Sequence, residues 1–189
     1  MLFVALLSFI ALVFVFPLLR LWRTHRVFGL VLNRQQPIDR LLGLSLFATM
    51  GLLALWSLGF ERFALWRSPD WMHGAGWALI ASGLVLMIVA QAQMGGSWRI
   101  GIDRQPTELV TSGLYRVVRN PIYSALGLVL VGVVAVTPHP LPLSLAALAV
   151  AAVSLQARRE ERHLLALHGE RYRIYANGVG RFVPGVGRL

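Results

Sequence analysis

Two stretches concentrate the residue types able to do chemistry. In "YRVVRNPIY", Tyr115, Arg116, Arg119, Asn120 and Tyr123 stand at the threshold of a long uncharged run. In "RREER", Glu160 and Glu161 stand among Arg158, Arg159 and Arg162. Arginine orients anions through charge-assisted hydrogen bonds, and a carboxylate or a tyrosine can hold a cation or take a proton. Such residues make a pocket for a charged group without naming a reaction.

Each feature also has a plainer reading. Arg116 and Arg119 fit the arginine excess that marks a cytoplasmic membrane face. The glutamates fit a solvated helix face, with Arg158 pairing Glu161 and Glu170 pairing Arg173 at i,i+3 spacing. Asn120-Pro121 fits a helix start, with Asn as N-cap and Pro in the first turn.

Whichever reading holds, the elements around these residues are apolar. Of 189 residues, 57% are hydrophobic and 14% charged, against about 25% charged in a soluble domain. Five uncharged blocks emerge between charges and prolines: Leu2 to Leu19, Leu41 to Phe60, Gly74 to Gln93, Pro121 to Val136 and Leu141 to Ala157. Each approaches the length that crosses a bilayer. The first is read as a retained helix, since it lacks a basic leader and a cleavage site. The expected fold is all-α, a polytopic membrane protein with five transmembrane helices in a single domain, 1–189.

The fourth and fifth blocks meet at "TPHPLP", whose three prolines should fold them into a helical hairpin. Arginine counts then orient the chain. Three connecting or terminal segments hold sixteen arginines, and the other side holds Arg62 and Arg67. That asymmetry predicts an outside N-terminus and a cytoplasmic C-terminal helical segment that continues from the fifth span to a stop at Gly169. Trp22, Trp56, Trp66, Trp71 and Trp98 suit interfacial anchoring, and Ala78 with Ser82 and Ala147 with Ala151 suit close helix packing.

Several functions are excluded. With no cysteine and no lysine, there is no disulfide framework, thiol nucleophile, Schiff-base lysine or phosphate-loop lysine. The net charge of +10 belongs to the ends of apolar blocks, which argues against nucleic acid. The five histidines lack ligand spacing, so no metal is expected. By topology, the hairpin returns Glu160 to the cytoplasmic edge where Asn120 opens the fourth span. One site could use both.

"LVTSGLYRVVRNPIY", followed one hairpin later by "REERHLLALHGERYRIYANGVGRFVP", resembles the integral-membrane methyltransferases of the isoprenylcysteine carboxyl methyltransferase and phospholipid methyltransferase superfamily. The resemblance covers roughly Met94 to Pro184, so residues 1–93 would supply the first three spans and residues 94–189 the cofactor-binding half. It implies S-adenosyl-L-methionine as cofactor, lined by Leu109, Val110, Tyr115, Pro121, Ile122 and Tyr123. Glu160 would bind its amino group, with Glu161 in support, and Asn120 could donate to its carboxylate. Arg119, Arg159 and Tyr172 are the candidate substrate contacts.

Two positions depart from the isoprenylcysteine enzymes. Those have His before this proline where the chain has Asn120, the phospholipid N-methyltransferase form, and a substrate-side arginine where it has Gln156. The resemblance implies a lipophilic acceptor, a prenylated or lipid molecule reached from the membrane. Carboxyl O-methylation of an isoprenylcysteine-like substrate is placed first and N-methylation of an ethanolamine headgroup second. For an amine, Glu161, Tyr172 or water would take the proton. Sterol reductases share this membrane architecture by resemblance, and a non-enzymatic membrane scaffold or transporter subunit is the remaining alternative.

Overall fold

The structure is a computed structural model and describes residues 1–15, 19, 37–59, 69–94 and 108–189. Six α-helices follow in order: α1, Leu2–Ile10, continued by a π turn at Ala11–Val15; α2, Pro37–Trp56; α3, Asp70–Met94; α4, Pro121–Val136; α5, Pro140–His168; and α6, Glu170–Gly178. A 3-10 turn, Gly113–Arg116, precedes α4. Among the described residues there is no strand, and isolated bridges join Val118 to Gly180 and Val183 to Val186.

Two of the five expected spans, α3 and α5, are long and apolar enough to cross a membrane. Leu41–Trp56 and Pro121–Val136 are shorter apolar helices. Only 33% of the most apolar window of α3 and 28% of that of α5 is buried, so these helices are not the wrapped core of a soluble domain. Leu44 and Leu52 on α2, Val85 and Ile88 on α3, and Leu148 and Leu155 on α5 point outward. Large apolar faces left open in this way suit a lipid solvent. Trp22, Trp66, Trp98 and many of the arginines that set the expected orientation, from Arg20 to Arg34 and at Arg62, Arg67, Arg99 and Arg104, lie outside the described residues.

The hairpin forms where the prolines place it. Thr137 ends α4, its N–H and hydroxyl both donating to the Val133 carbonyl at 2.9 and 2.6 Å. His139 then caps α5, its Nδ1 accepting the Leu141 N–H at 3.1 Å, and Pro140 takes the first turn, where no N–H is needed. Trp56 at the end of α2 packs on the His139 ring at 5.5 Å.

A cavity of about 390 Å³ lies beside this hairpin, lined by Met1 and Leu2, Trp56, His73 and Trp77, and Val136 to Pro138. The start of α1, the end of α2, the start of α3 and the end of α4 therefore gather at one end of the molecule. The end of α3 and the start of α4 gather at the other, with the polar stretches.

Glycines decide how α3 and α4 pack. A Cβ on Gly132 would lie 2.6 Å from the Gly76 carbonyl oxygen, and one on Gly83 would lie 2.8 Å from the Ala125 oxygen. The two backbones touch because these positions lack side chains. This corrects the packing residues expected from the sequence: Ala78, Ser82, Ala147 and Ala151 are all exposed. Ala78 lies about 200° around the helix from Gly76, so only one of those two faces can meet α4.

Gly132→Ala should lower stability by about 1–3 kcal/mol through overpacking, and Gly132→Leu by more. Gly127, with nothing within 4 Å of its missing Cβ, should accept alanine without loss. Thermal melting in detergent micelles compares the three variants.

Candidate functional site

The site begins with a turn docked on the end of α3. Gly113 has φ +59, the left-handed region, and a Cβ there would collide with the Gln93 side chain. Glycine therefore lets the Leu114 N–H reach Gln93 Oε1 at 2.7 Å. Tyr115 follows, buried, with its hydroxyl directed at the Ala90 carbonyl at 3.4 Å. The Tyr175 hydroxyl donates to the Tyr115 carbonyl.

The C-terminal segment then straps the start of α4. Arg119 N–H donates to the Gly180 carbonyl at 2.8 Å and Asn120 N–H to the Arg181 carbonyl at 3.1 Å. The Ser124 hydroxyl donates to the Phe182 carbonyl at 2.7 Å. Phe182 sits edge-on to Tyr123, with ring centres 6.4 Å apart.

Beneath the strap, Glu161 is clamped between two guanidiniums. Arg119 Nε and Nη2 donate to its Oε1 at 3.1 and 3.0 Å, and Arg181 Nη2 donates to its Oε2 at 2.7 Å. The Arg119 and Glu161 side chains are 1% and 6% exposed, so this is a buried ion triad. The rest of the Arg119 guanidinium goes to the carbonyls of Ala176, Val179 and Gly187. Two of these lie at the end of α6, where a cation also meets the negative end of the helix dipole. The Glu161 hydrogen bond raises the pKa of Arg181 further.

Glu161 thus pairs with Arg119 and Arg181, not with Arg158 as its i,i+3 spacing suggests. Arg162 Nε instead reaches the Arg158 carbonyl at 3.3 Å. The Glu170–Arg173 pair forms at 3.5 Å on the surface. Asn120 occupies the N-cap position without capping. Its Nδ2 lies 3.3 Å from Glu161 Oε1 and 3.5 Å from the Arg181 carbonyl.

Glu160, the neighbouring carboxylate, looks elsewhere because successive residues on an α-helix are about 100° apart. Its Oε1 accepts the Tyr123 hydroxyl at 2.7 Å and Gln156 Nε2 at 3.0 Å. Since Nε2 is committed, the Gln156 amide has a fixed orientation. Its Oε1 is buried without a partner.

Leu109 and Val110 are half-buried before the turn, Pro121 is buried as the first residue of α4, and Ile122 packs on the core. Arg159 is half-buried on α5, and Tyr172 is wholly buried on α6. The fold adds Gln156, Arg181 and Phe182 to the candidates. Only chain geometry finds Arg181, since no local pattern links it to Glu161. Among the described residues no group of His, Asp or Glu could hold a metal.

Burial holds the Tyr115 and Tyr172 phenols well above their ordinary value near 10 and pushes Tyr175 up to about 12. A phenol whose pKa is raised by folding contributes stability that is complete below the unfolded value and lost as pH rises through the folded one. Thermal stability should therefore fall above pH about 10, and Tyr172→Phe should make that fall shallower. At neutral pH, Glu161→Ala should cost about 3–5 kcal/mol by leaving Arg119 buried and unpaired. Arg181→Ala should cost less, since that side chain is 23% exposed. Melting curves across pH and across these variants test both expectations.

The family model described as phospholipid methyltransferase matches residues 71–171. That span takes in α3, the turn at Tyr115, α4, and α5 with both glutamates. No curated protein matches the chain. The match covers more than half of the 189 residues, and the chain belongs to the phospholipid methyltransferase family, within the superfamily of membrane methyltransferases that its motifs resemble.

Proposed function

We propose that the protein is an S-adenosylmethionine-dependent methyltransferase that methylates an amine carried on a lipid. The carrying observation is the polarity of the cluster at Glu160. Its carboxylate accepts from Tyr123 and Gln156, and the buried Gln156 oxygen has no partner, whereas the guanidiniums of Arg119 and Arg181 are both turned to Glu161. A cation suits such a place better than an anion.

The cofactor fits on the same ground, because its amino group and its sulfonium are both positive. Glu160 would hold the amino group, with Tyr123 fixing the carboxylate, and Leu109, Val110, Ile122 and Phe182 would keep water away. When bound, S-adenosylmethionine supplies a methyl group that needs alignment more than activation. The protein's task is to hold the acceptor in line and dry.

An isoprenylcysteine carboxylate would need a cation to orient it. Arg119 is spent on Glu161 and on three backbone carbonyls, so of the two arginines expected to contact substrate it is not placed to orient a carboxylate, and the acceptors at Glu160 and Gln156 favour the amine. An amine must also lose a proton. Tyr172, buried with a raised pKa, keeps its own, and Glu161 lies between two guanidiniums. Water at the polar edge is the better acceptor of that proton.

In the membrane, α1 to α5 are read as the five spans, with the polar edge in the cytoplasm. Arg116, Arg119, Arg158, Arg159, Arg162, Arg171, Arg173, Arg181 and Arg188 all belong to that end of the chain's path. A lipid acceptor would then enter sideways between apolar helices while the cofactor enters from water.

Calorimetric titration with S-adenosylhomocysteine should give saturable binding that weakens at least tenfold in Glu160→Ala, the scale of one lost charge-assisted hydrogen bond (roughly 1.5–3 kcal/mol). Absence of binding would sink the proposal. Labelled methyl transfer then separates the acceptors: label stable in the lipid marks an amine, and base-labile volatile label marks a carboxyl ester.

A further inference from the structure

A buried amide on α3 has no part in the arrangement above. Gln91 is 7% exposed, and its Nε2 has no hydrogen-bond partner. It lies on the stripe that packs against α4, one helical turn beyond Met87 and two beyond Gly83.

The register of the two helices fixes its level. Gly76 lies against Gly132, and Gly83 against Ala125 and Val129, so the helices are antiparallel and each step toward the end of α3 matches a step toward the start of α4. One further heptad brings Ala90 and Gln91 level with Asn120 and its neighbours. The Tyr115 hydroxyl at the Ala90 carbonyl agrees with that level.

At this level α4 begins without a side-chain cap. Pro121 has no N–H, and the N–H of Ile122 has no partner within the helix. A positive helix end and a buried, unpartnered amide donor therefore stand at the same level of the α3–α4 pair. Both suit an oxygen anion.

We propose that Gln91 Nε2 and the first turn of α4 form a subsite for an anionic oxygen of the bound ligand. The inference rests on the function proposed above, under which two groups have this chemistry: the carboxylate of the cofactor and the phosphate of a lipid acceptor. Under the family resemblance, Asn120 could donate to the cofactor carboxylate. With the Asn120 amide turned toward Glu161, Gln91 is the donor that takes its place.

The test titrates the purified full chain in detergent micelles with S-adenosylhomocysteine and with methylthioadenosine, which lacks the amino-acid end. It also measures KM for phosphatidylethanolamine in mixed micelles. Gln91→Leu should weaken S-adenosylhomocysteine about tenfold and leave methylthioadenosine unchanged. If the lipid phosphate is the anion, both nucleosides bind as before and the lipid KM rises about tenfold. Either result upholds the subsite and names its occupant. Gln91→Met, closer in shape, should repeat the pattern and serves if the leucine variant does not fold. Unchanged binding and KM in the variants, or equal weakening of both nucleosides, overturns the subsite while leaving the proposed function standing. Wild-type protein that binds no S-adenosylhomocysteine overturns both.

Discussion

Glu161 between Arg119 and Arg181 is the interaction on which the polar end of this protein depends. Burying a carboxylate to 6% exposure carries a desolvation cost that outweighs most single contacts. Two guanidiniums offset that cost, and they come from different places: Arg119 from the start of α4, Arg181 from the C-terminal strap. One carboxylate on α5 thereby fixes three segments that are far apart in sequence. Arg119 extends the network to the end of α6 through backbone carbonyls that the helix itself leaves unsatisfied. A triad of this kind is weak evidence for net stability but fixes an arrangement firmly, since each alternative leaves a charge buried and unpaired.

That fixity explains the division between the two glutamates. With Glu161 held in the frame, the helix turns Glu160 toward Tyr123 and Gln156. The strap brings Phe182 onto Tyr123 from the other side, so an apolar ring borders the carboxylate cluster. The closeness of α3 and α4 matters in the same way. Glycine contacts such as Gly76 with Gly132 let the backbones touch, and that approach sets Gln91 level with the start of α4. Packing within the apolar body thus positions polar groups at its edge.

The distribution of apolar surface accounts for the rest. In water the outward leucines and valines of α2, α3 and α5 would be an aggregation liability, whereas in lipid they cost nothing. Among the described residues the clustered charges lie at one end, with Asp70 at the other, because apolar helices carry charge only at a cost. A family that transfers methyl groups to lipids can use such a boundary, where a water-borne donor and a membrane-borne acceptor come within reach of each other.

Residue order alone places the helical hairpin at "TPHPLP", the helix start at Pro121, the stop at Gly169 and the meeting of Asn120 with the glutamate pair. These follow from proline and glycine stereochemistry and from the length of apolar runs, which are local properties. It also carried the family, through motifs whose order survives without coordinates. The folded arrangement sets which glutamate joins the ion triad and which meets Tyr123, because a 100° step around a helix becomes meaningful once partners are in place. It likewise made Arg119 a frame residue, chose Gly76, Gly83 and Gly132 over the small residues at Ala78 and Ala147 for packing, and left the Gln91 and Gln156 amides with unpartnered atoms. Such outcomes depend on contacts between distant segments, and residue type and spacing do not encode which of several arginines a buried carboxylate will meet.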